Sequence, residues 1–142
     1  MSGTLEVSTA LLTRLFAASP GAAVDPARTK LDNQAFAPGT ARWYQTYFMP
    51  GEPTAADIGC TAPNRHVGIF QVDVYDPNGS GTKLLATEAE RIAACFKRGT
   101  GLSYSGIIVM CEKSWVIKNV SQDDAAFYKQ SVRVSWWADV PN

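Results

Sequence analysis

The stretch Phe127-Tyr128-Lys129-Gln130-Ser131-Val132-Arg133-Val134-Ser135-Trp136-Trp137-Ala138 decides the fold class. Tyr128, Val132, Val134 and Trp136 fall on one side of an extended chain, and Lys129, Ser131, Arg133 and Ser135 on the other. Successive strand side chains leave on opposite faces, so this segment reads as a strand with one buried and one wet face. His66 to Tyr75 has the same character, with Phe70, Val72 and Val74 alternating with Gln71 and Asp73. Strands of this kind belong to antiparallel sheets covered on one face. Two further strands are expected at Arg42 to Met49, rich in aromatic and β-branched residues and closed by Pro50-Gly51, and at Ile107 to Ile117.

Helices must supply the cover. Leu5, Leu11, Leu12, Leu15 and Phe16 predict an apolar stripe on a helix over 4–18, with Thr4 as its cap and Ser19-Pro20-Gly21 as its stop. Leu85, Ala89, Ile92 and Phe96 form a single seam on a second helix over about 82–98. Lys97 and Arg98 suit its negative end, and Gly99 its left-handed cap. The expected fold is an α+β two-layer sandwich in one domain, 1–142. It has a four-stranded, largely antiparallel sheet (about 42–49, 66–75, 107–117 and 127–138) with two helices on one face, in the order α-β-β-α-β-β.

Two connectors are long. Gly21 to Thr40 is rich in proline and glycine, with Phe36 expected to tuck into the core. Pro50 to Arg65 is a long loop, and such loops in compact domains are usually functional, which makes it the first candidate for partner contact.

Composition bounds the function. The chain has 142 residues, 46% of them apolar, enough for one real core. Thirteen basic residues balance thirteen acidic ones, so no global field draws the protein to nucleic acid or an anionic membrane. No apolar run approaches the roughly 20 residues of a membrane span. Met1 to Glu6 lacks the basic start and apolar core of a signal peptide, and Cys60, Cys95 and Cys111 form no close pair, which fits a reducing cytosol. Cys95 and Cys111 both read as small buried hydrophobes.

A search for chemistry returns little. His66 is the single histidine. Cys60 is near enough in sequence to pair with it, but no carboxylate at a recognisable spacing would orient the ring. Four Cys and His residues scattered from 60 to 111 do not form the paired ligand spacings of structural zinc. Gly79-Ser80-Gly81-Thr82-Lys83 sits between strand and helix but lacks the hydroxyl residue after lysine that a phosphate loop needs. Glu88 and Glu90 point different ways on a helix, and Asp123-Asp124 reads as turn chemistry. No catalytic, cofactor or metal site is assigned.

The aromatic residues carry more. Trp136 and Trp137 are consecutive in a strand, so one ring faces the core and the other shares a face with Arg133 and Ser135. Trp137 is then either an exposed anchor beside Arg133 or a residue covered by the Gly21 to Thr40 connector. Trp137 and Arg133, with Glu52, Asp57 and Arg65 of the long loop, form the candidate assembly interface.

A series of segments runs through the whole chain: Asn33-Gln34-Ala35-Phe36-Ala37-Pro38, Trp43, Arg65-His66-Val67-Gly68-Ile69-Phe70-Gln71-Val72-Asp73-Val74-Tyr75, Gly79-Ser80-Gly81, Cys95-Phe96-Lys97-Arg98-Gly99 and Val132 to Ala138. In order and spacing it resembles the small tail terminator-like proteins of siphophages and prophages. The resemblance implies a structural subunit without cofactor, assembling with itself into a six-membered ring on the head-proximal end of a tail tube. Its implied partners are the tail tube protein and a head–tail connector protein, with no nucleic-acid recognition and no membrane. Such a protein would reside in the bacterial host cytoplasm during assembly and in the virion tail afterwards. The alternatives are a head–tail joining or tail-completion subunit, and a small cytosolic ligand-binding domain or enzyme.

Overall fold

The structure, a computed structural model, describes residues 3–18, 20–32, 34–37, 39, 41–55, 58–59, 62–77, 83–118 and 127–141. In chain order the elements are α1 (Thr4–Phe16), β1 (Thr29–Lys30), β2 (Trp43–Pro50), β3 (Thr54–Ala55), β4 (Asn64–Pro77), α2 (Lys83–Cys95), β5 (Gly101–Tyr104), β6 (Ile107–Lys118) and β7 (Phe127–Val140). This corrects the expected four-stranded α-β-β-α-β-β sandwich: the protein is mostly β, with seven strands in one curled, mixed sheet. The strand order is β1-β2-β4-β7-β6-β5, with β3 attached to β4 and β1 running parallel to β2.

The three additional strands are short, which is why periodicity does not reveal them. β1 and β3 have two residues each, too few to alternate. β5 joins β6 through Ser105-Gly106, both at positive φ (51° and 81°), a backbone twist suited to a two-residue hairpin turn.

β4 and β7 form the spine. They pair without a break from Asn64 opposite Val140 to Pro77 opposite Phe127. Phe70, Val72 and Val74 of β4 and Val132, Val134 and Trp136 of β7 are buried on the side that carries Leu11 and Leu15 of α1 and Leu85, Ala89, Ile92 and Phe96 of α2. Burying each large apolar side chain contributes about 1.5–3 kcal/mol. Trp136 stacks on Phe48 at 5.4 Å between ring centroids and crosses over Gly68. A Cβ on Gly68 would lie 2.7 Å from the Trp136 ring and 2.6 Å from the Met49 carbonyl oxygen, so only glycine fits.

β6 carries a bulge. Cys111 pairs with Trp136 and Lys113 with Ser135, leaving Glu112 as an extra residue. Ile107, Val109 and Cys111 face the helices before it, and Ser114 and Val116 do so after it.

The helices need smaller corrections. α1 starts from Gly3, in the left-handed conformation, and Thr4 is its first residue rather than its side-chain cap. Leu5 is exposed and Val7 takes the core position, because Val7 lies about one turn from Leu11 whereas Leu5 lies on the far side. α2 ends at Cys95, so Lys97 and Arg98 lie beyond it, and Gly99 has the expected positive φ, 86°. The preceding Gly79 to Thr82 lies outside the described residues. Phe36 is not in the core; it stacks on Trp43 at 5.5 Å on the opposite face of the sheet.

A buried polar cluster fixes α2 to the sheet. The Glu88 carboxylate accepts from the Tyr44 hydroxyl and from Arg91 Nε at 2.6 Å, and Arg42 reaches it at 3.6 Å. Arg42 also holds Asp76 through two nitrogens, and Arg91 donates to the Ala22 carbonyl. Burial alone would raise the Glu88 pKa, but the Arg91 and Tyr44 hydrogen bonds and the Arg42 charge bring it below the ordinary carboxylate value. Burial and the same carboxylate raise the Tyr44 hydroxyl.

Candidate assembly surface

The face of the sheet opposite the helices has two halves. One is polar: Arg133 donates to Gln71 at 2.9 Å, Gln71 donates to Asp73 at 2.8 Å, and Lys129 lies 4.0 Å from Asp73. Trp43 and Tyr75 stack at 4.0 Å beside this network. These long side chains bury Asp73 to 1% exposure, so this face is not simply wet as alternation suggests.

The other half is apolar. Val67, Trp137 and Met110 stand side by side on β4, β7 and β6, and Met49 stands opposite Ile69 on β2 and β4. Met49 and Val67 are 44% and 42% exposed and Ile108 is 56% exposed, large values for aliphatic residues placed together on a sheet. Gly106, Ile108, Met110, Trp137 and Asp139 line a shallow hollow of about 350 Å³ at this end.

Arg65 closes the apolar half. Its guanidinium carbon lies 4.3 Å from the centroid of the Trp137 ring, and its Nε and a terminal nitrogen donate to Asp139 at 2.8 and 3.0 Å. The pairing of Arg65 with Asp139 and of Val67 with Trp137 sets this diagonal contact. The Arg65 bond holds the Asp139 carboxyl below its ordinary value.

Of the expected interface residues, the structure brings together Arg65 and Trp137. Arg133 shares their face but sits four residues up β7, engaged with Gln71. Glu52 is exposed in the segment after β2, and Asp57 lies outside the described residues. The loop after β2 is partly zipped to the sheet: Gly51 N–H donates to the Val67 carbonyl at 2.7 Å, and β3 pairs with Asn64 and Arg65. Trp137 is half-buried under Arg65, and the Gly21 to Thr40 connector meets the sheet at its other end, where Phe36 stacks on Trp43. Asp139, Met110, Ile108, Val67 and Met49 were missed from sequence. Asp139 was legible as the next outward residue after Trp137, whereas the others needed the register.

The residues screened for chemistry are dispersed or lie outside the description. His66 is buried on β4, and Cys60 lies outside the described residues. Glu88 is buried and Glu90 exposed, which agrees with their opposed directions on α2. Cys111 is buried, and burial raises its thiol pKa to about 11. Cys95, expected to be buried, is half-exposed at the end of α2, where its thiol meets the Arg91 carbonyl at 3.4 Å. Asp123-Asp124 also lies outside the described residues. Among the described residues no three His, Cys, Asp or Glu side chains gather to hold a metal, and no helix is long and apolar enough to cross a membrane.

The family profile described as phage tail terminator protein matches residues 6–136. No curated protein matches the chain significantly. Among the solved structures that match, two share the fold over nearly the whole chain. One, a protein without a functional name, is 20% identical with a TM-score of 0.68, covering 100% of this chain and 98% of its own. The other is a chain from the virion of a native gene transfer agent particle. It is 14% identical with a TM-score of 0.59, covering 99% of this chain and 98% of its own.

Proposed function

The chain belongs to the phage tail terminator family, and on that premise we propose that it caps the head-proximal end of a tail tube as a ring of identical subunits. Membership makes it a phage tail structural protein. The ring, with the tail tube protein below it and a head–tail connector above it, is the finer reading. The likeness to a chain of a gene transfer agent virion supports incorporation into a particle.

The observation that carries this reading is the apolar half of the helix-free face. Val67, Trp137, Met110 and Ile108 form a strip that no other described element covers. A strip of this kind suits burial against another subunit, and Arg65 and Asp139 give it a polar rim. On this reading the side chains supply surface and shape and perform no reaction. The subunit is made in the bacterial host cytoplasm and retained in the tail.

Electron microscopy of particles made with and without the protein tests the cap. Tubes of uncontrolled length in its absence are the expected result. Tubes of normal length that fail to join heads would instead favour a head–tail joining subunit.

A further inference from the structure

β5 is the last strand on its side of the sheet, so one of its edges has no partner strand among the described residues. The Ser105-Gly106 turn makes Tyr104 and Ile107 a hydrogen-bonded pair, and Cys111 N–H donates to the Thr100 carbonyl at 2.9 Å. Hydrogen-bonded and non-hydrogen-bonded pairs alternate along an antiparallel ladder. Leu102 and Tyr104 therefore turn their backbone groups toward β6, and Gly101 and Ser103 turn theirs outward. Both outward residues are exposed, and neither bonds a described residue on that side.

A groove runs beside this edge, between β5 and α1. Ala10, Thr13 and Ala17 recur at intervals of three and four on α1 and share a hollow of about 280 Å³ with Leu102 and Tyr104. Their small side chains keep it open. Leu102 points toward the helices, where it is buried. Directly opposed strand residues send their side chains to the same face, so a residue set opposite Leu102 would fill the hollow.

The groove is polarised. At its Thr100 end stands Arg14, whose Nε donates to the Cys95 carbonyl at 3.1 Å. Lys97 and Arg98 are exposed beside it, and the Lys97 carbonyl accepts from Thr100 N–H at 3.1 Å. None of these three cations pairs with a carboxylate among the described residues. Toward the start of α1, Glu6 lies one turn before Ala10, and its Oε2 is buried without a hydrogen-bond partner.

A free edge, a side-chain hollow and a charged end make up the receiving half of strand addition. Antiparallel addition matches the neighbouring sheet and is the slightly more stable pairing. A segment added in this sense runs toward Gly101, with two of its residues hydrogen-bonded to Ser103 and then Gly101. The residue between those two stands opposite Leu102. Two positions later comes the residue opposite Thr100, on the same face and beside the three cations.

We propose that this groove binds an extended segment of a partner protein, added antiparallel to β5, in which an aliphatic residue is followed two positions later by aspartate or glutamate. The surface is separate from the strip of Val67, Trp137 and Met110, and the proposal does not rest on the ring reading.

The probe is a capped hexapeptide, Ser-Thr-Leu-Thr-Asp-Asp, titrated into the full chain by calorimetry. Hydrogen–deuterium exchange then locates the contact. The 101–104 segment is expected to exchange at least tenfold more slowly with the peptide at saturation. Binding should weaken at least tenfold for the reversed-order peptide Asp-Asp-Thr-Leu-Thr-Ser. It should weaken as much for Thr13→Phe, which fills the hollow, and for Lys97→Glu combined with Arg98→Glu; all three positions are exposed. No slowing of exchange over 101–104, or equal binding of the reversed-order peptide, overturns the proposal. Protection there that grows with protein concentration and needs no peptide would mean that a second copy fills the groove, and overturns it too. Tail length in particles tests the ring reading separately.

Discussion

Arg65 lies over the ring of Trp137, 4.3 Å from ring centroid to guanidinium carbon, while the same guanidinium grips Asp139. The tryptophan is thereby held in one orientation on a face that has no helix over it. An aromatic side chain fixed in place loses little freedom on binding, which suits an anchor between subunits.

Trp137→Ser is therefore expected to leave the circular dichroism spectrum unchanged and to weaken self-association at least tenfold. Analytical ultracentrifugation over a concentration series measures this. An oligomer of unchanged affinity would remove Trp137 from the interface.

Glu88 is surrounded by Tyr44, Arg91 and Arg42. Removing one partner of a buried charged cluster strands the others, so Glu88→Ala is expected to cost roughly 3 kcal/mol in urea unfolding. The sign of the pH dependence follows from the lowered pKa. The Glu88 contribution is full above the ordinary value of 4.5 and is lost as pH falls through the lower folded value. The gap between wild type and Glu88→Gln should close in that acid range.

Gly68→Val places a branched side chain against Trp136 and the Met49 carbonyl. Overpacking of this kind costs about 1–3 kcal/mol, read as a lower urea midpoint. A midpoint equal to wild type would mean that the Trp136 ring does not cross Gly68.

Cys111, with its thiol raised to about 11, should resist alkylation at neutral pH until the chain unfolds, whereas Cys95 reacts in the native state. Mass spectrometry after timed iodoacetamide treatment separates the two sites. Because the raised thiol stays neutral in the fold, its contribution is full below the unfolded pKa and is lost as pH rises toward 11.

The long elements were legible because their side chains repeat. β4, β7 and the core seam of α2 announce themselves through Phe70, Val72, Val74, Val132, Val134, Leu85, Ala89 and Ile92. The two-residue strands carry no period, and β5 is hidden between Gly99 and the Ser105-Gly106 turn, so the sheet was read too narrow. Trp137 was legible as an outward tryptophan. Its neighbours Val67 and Met110 depend on register between distant strands, which no local pattern encodes. The Glu88 cluster was also out of reach, because Tyr44, Arg42 and Arg91 meet only after α2 docks.

The extra residue at Glu112 sets which side of β6 each later side chain occupies. Were β6 to pair regularly with Glu112 opposite Ser135, Lys113 and Trp115 would turn inward under the helices, and Ser114 and Val116 outward. Deleting Glu112 would remove the bulge and leave every later side chain on its present face, because Lys113 would follow Cys111 opposite Ser135. The bulge thus absorbs one residue of the sequence while Ser114 and Val116 still reach the helices.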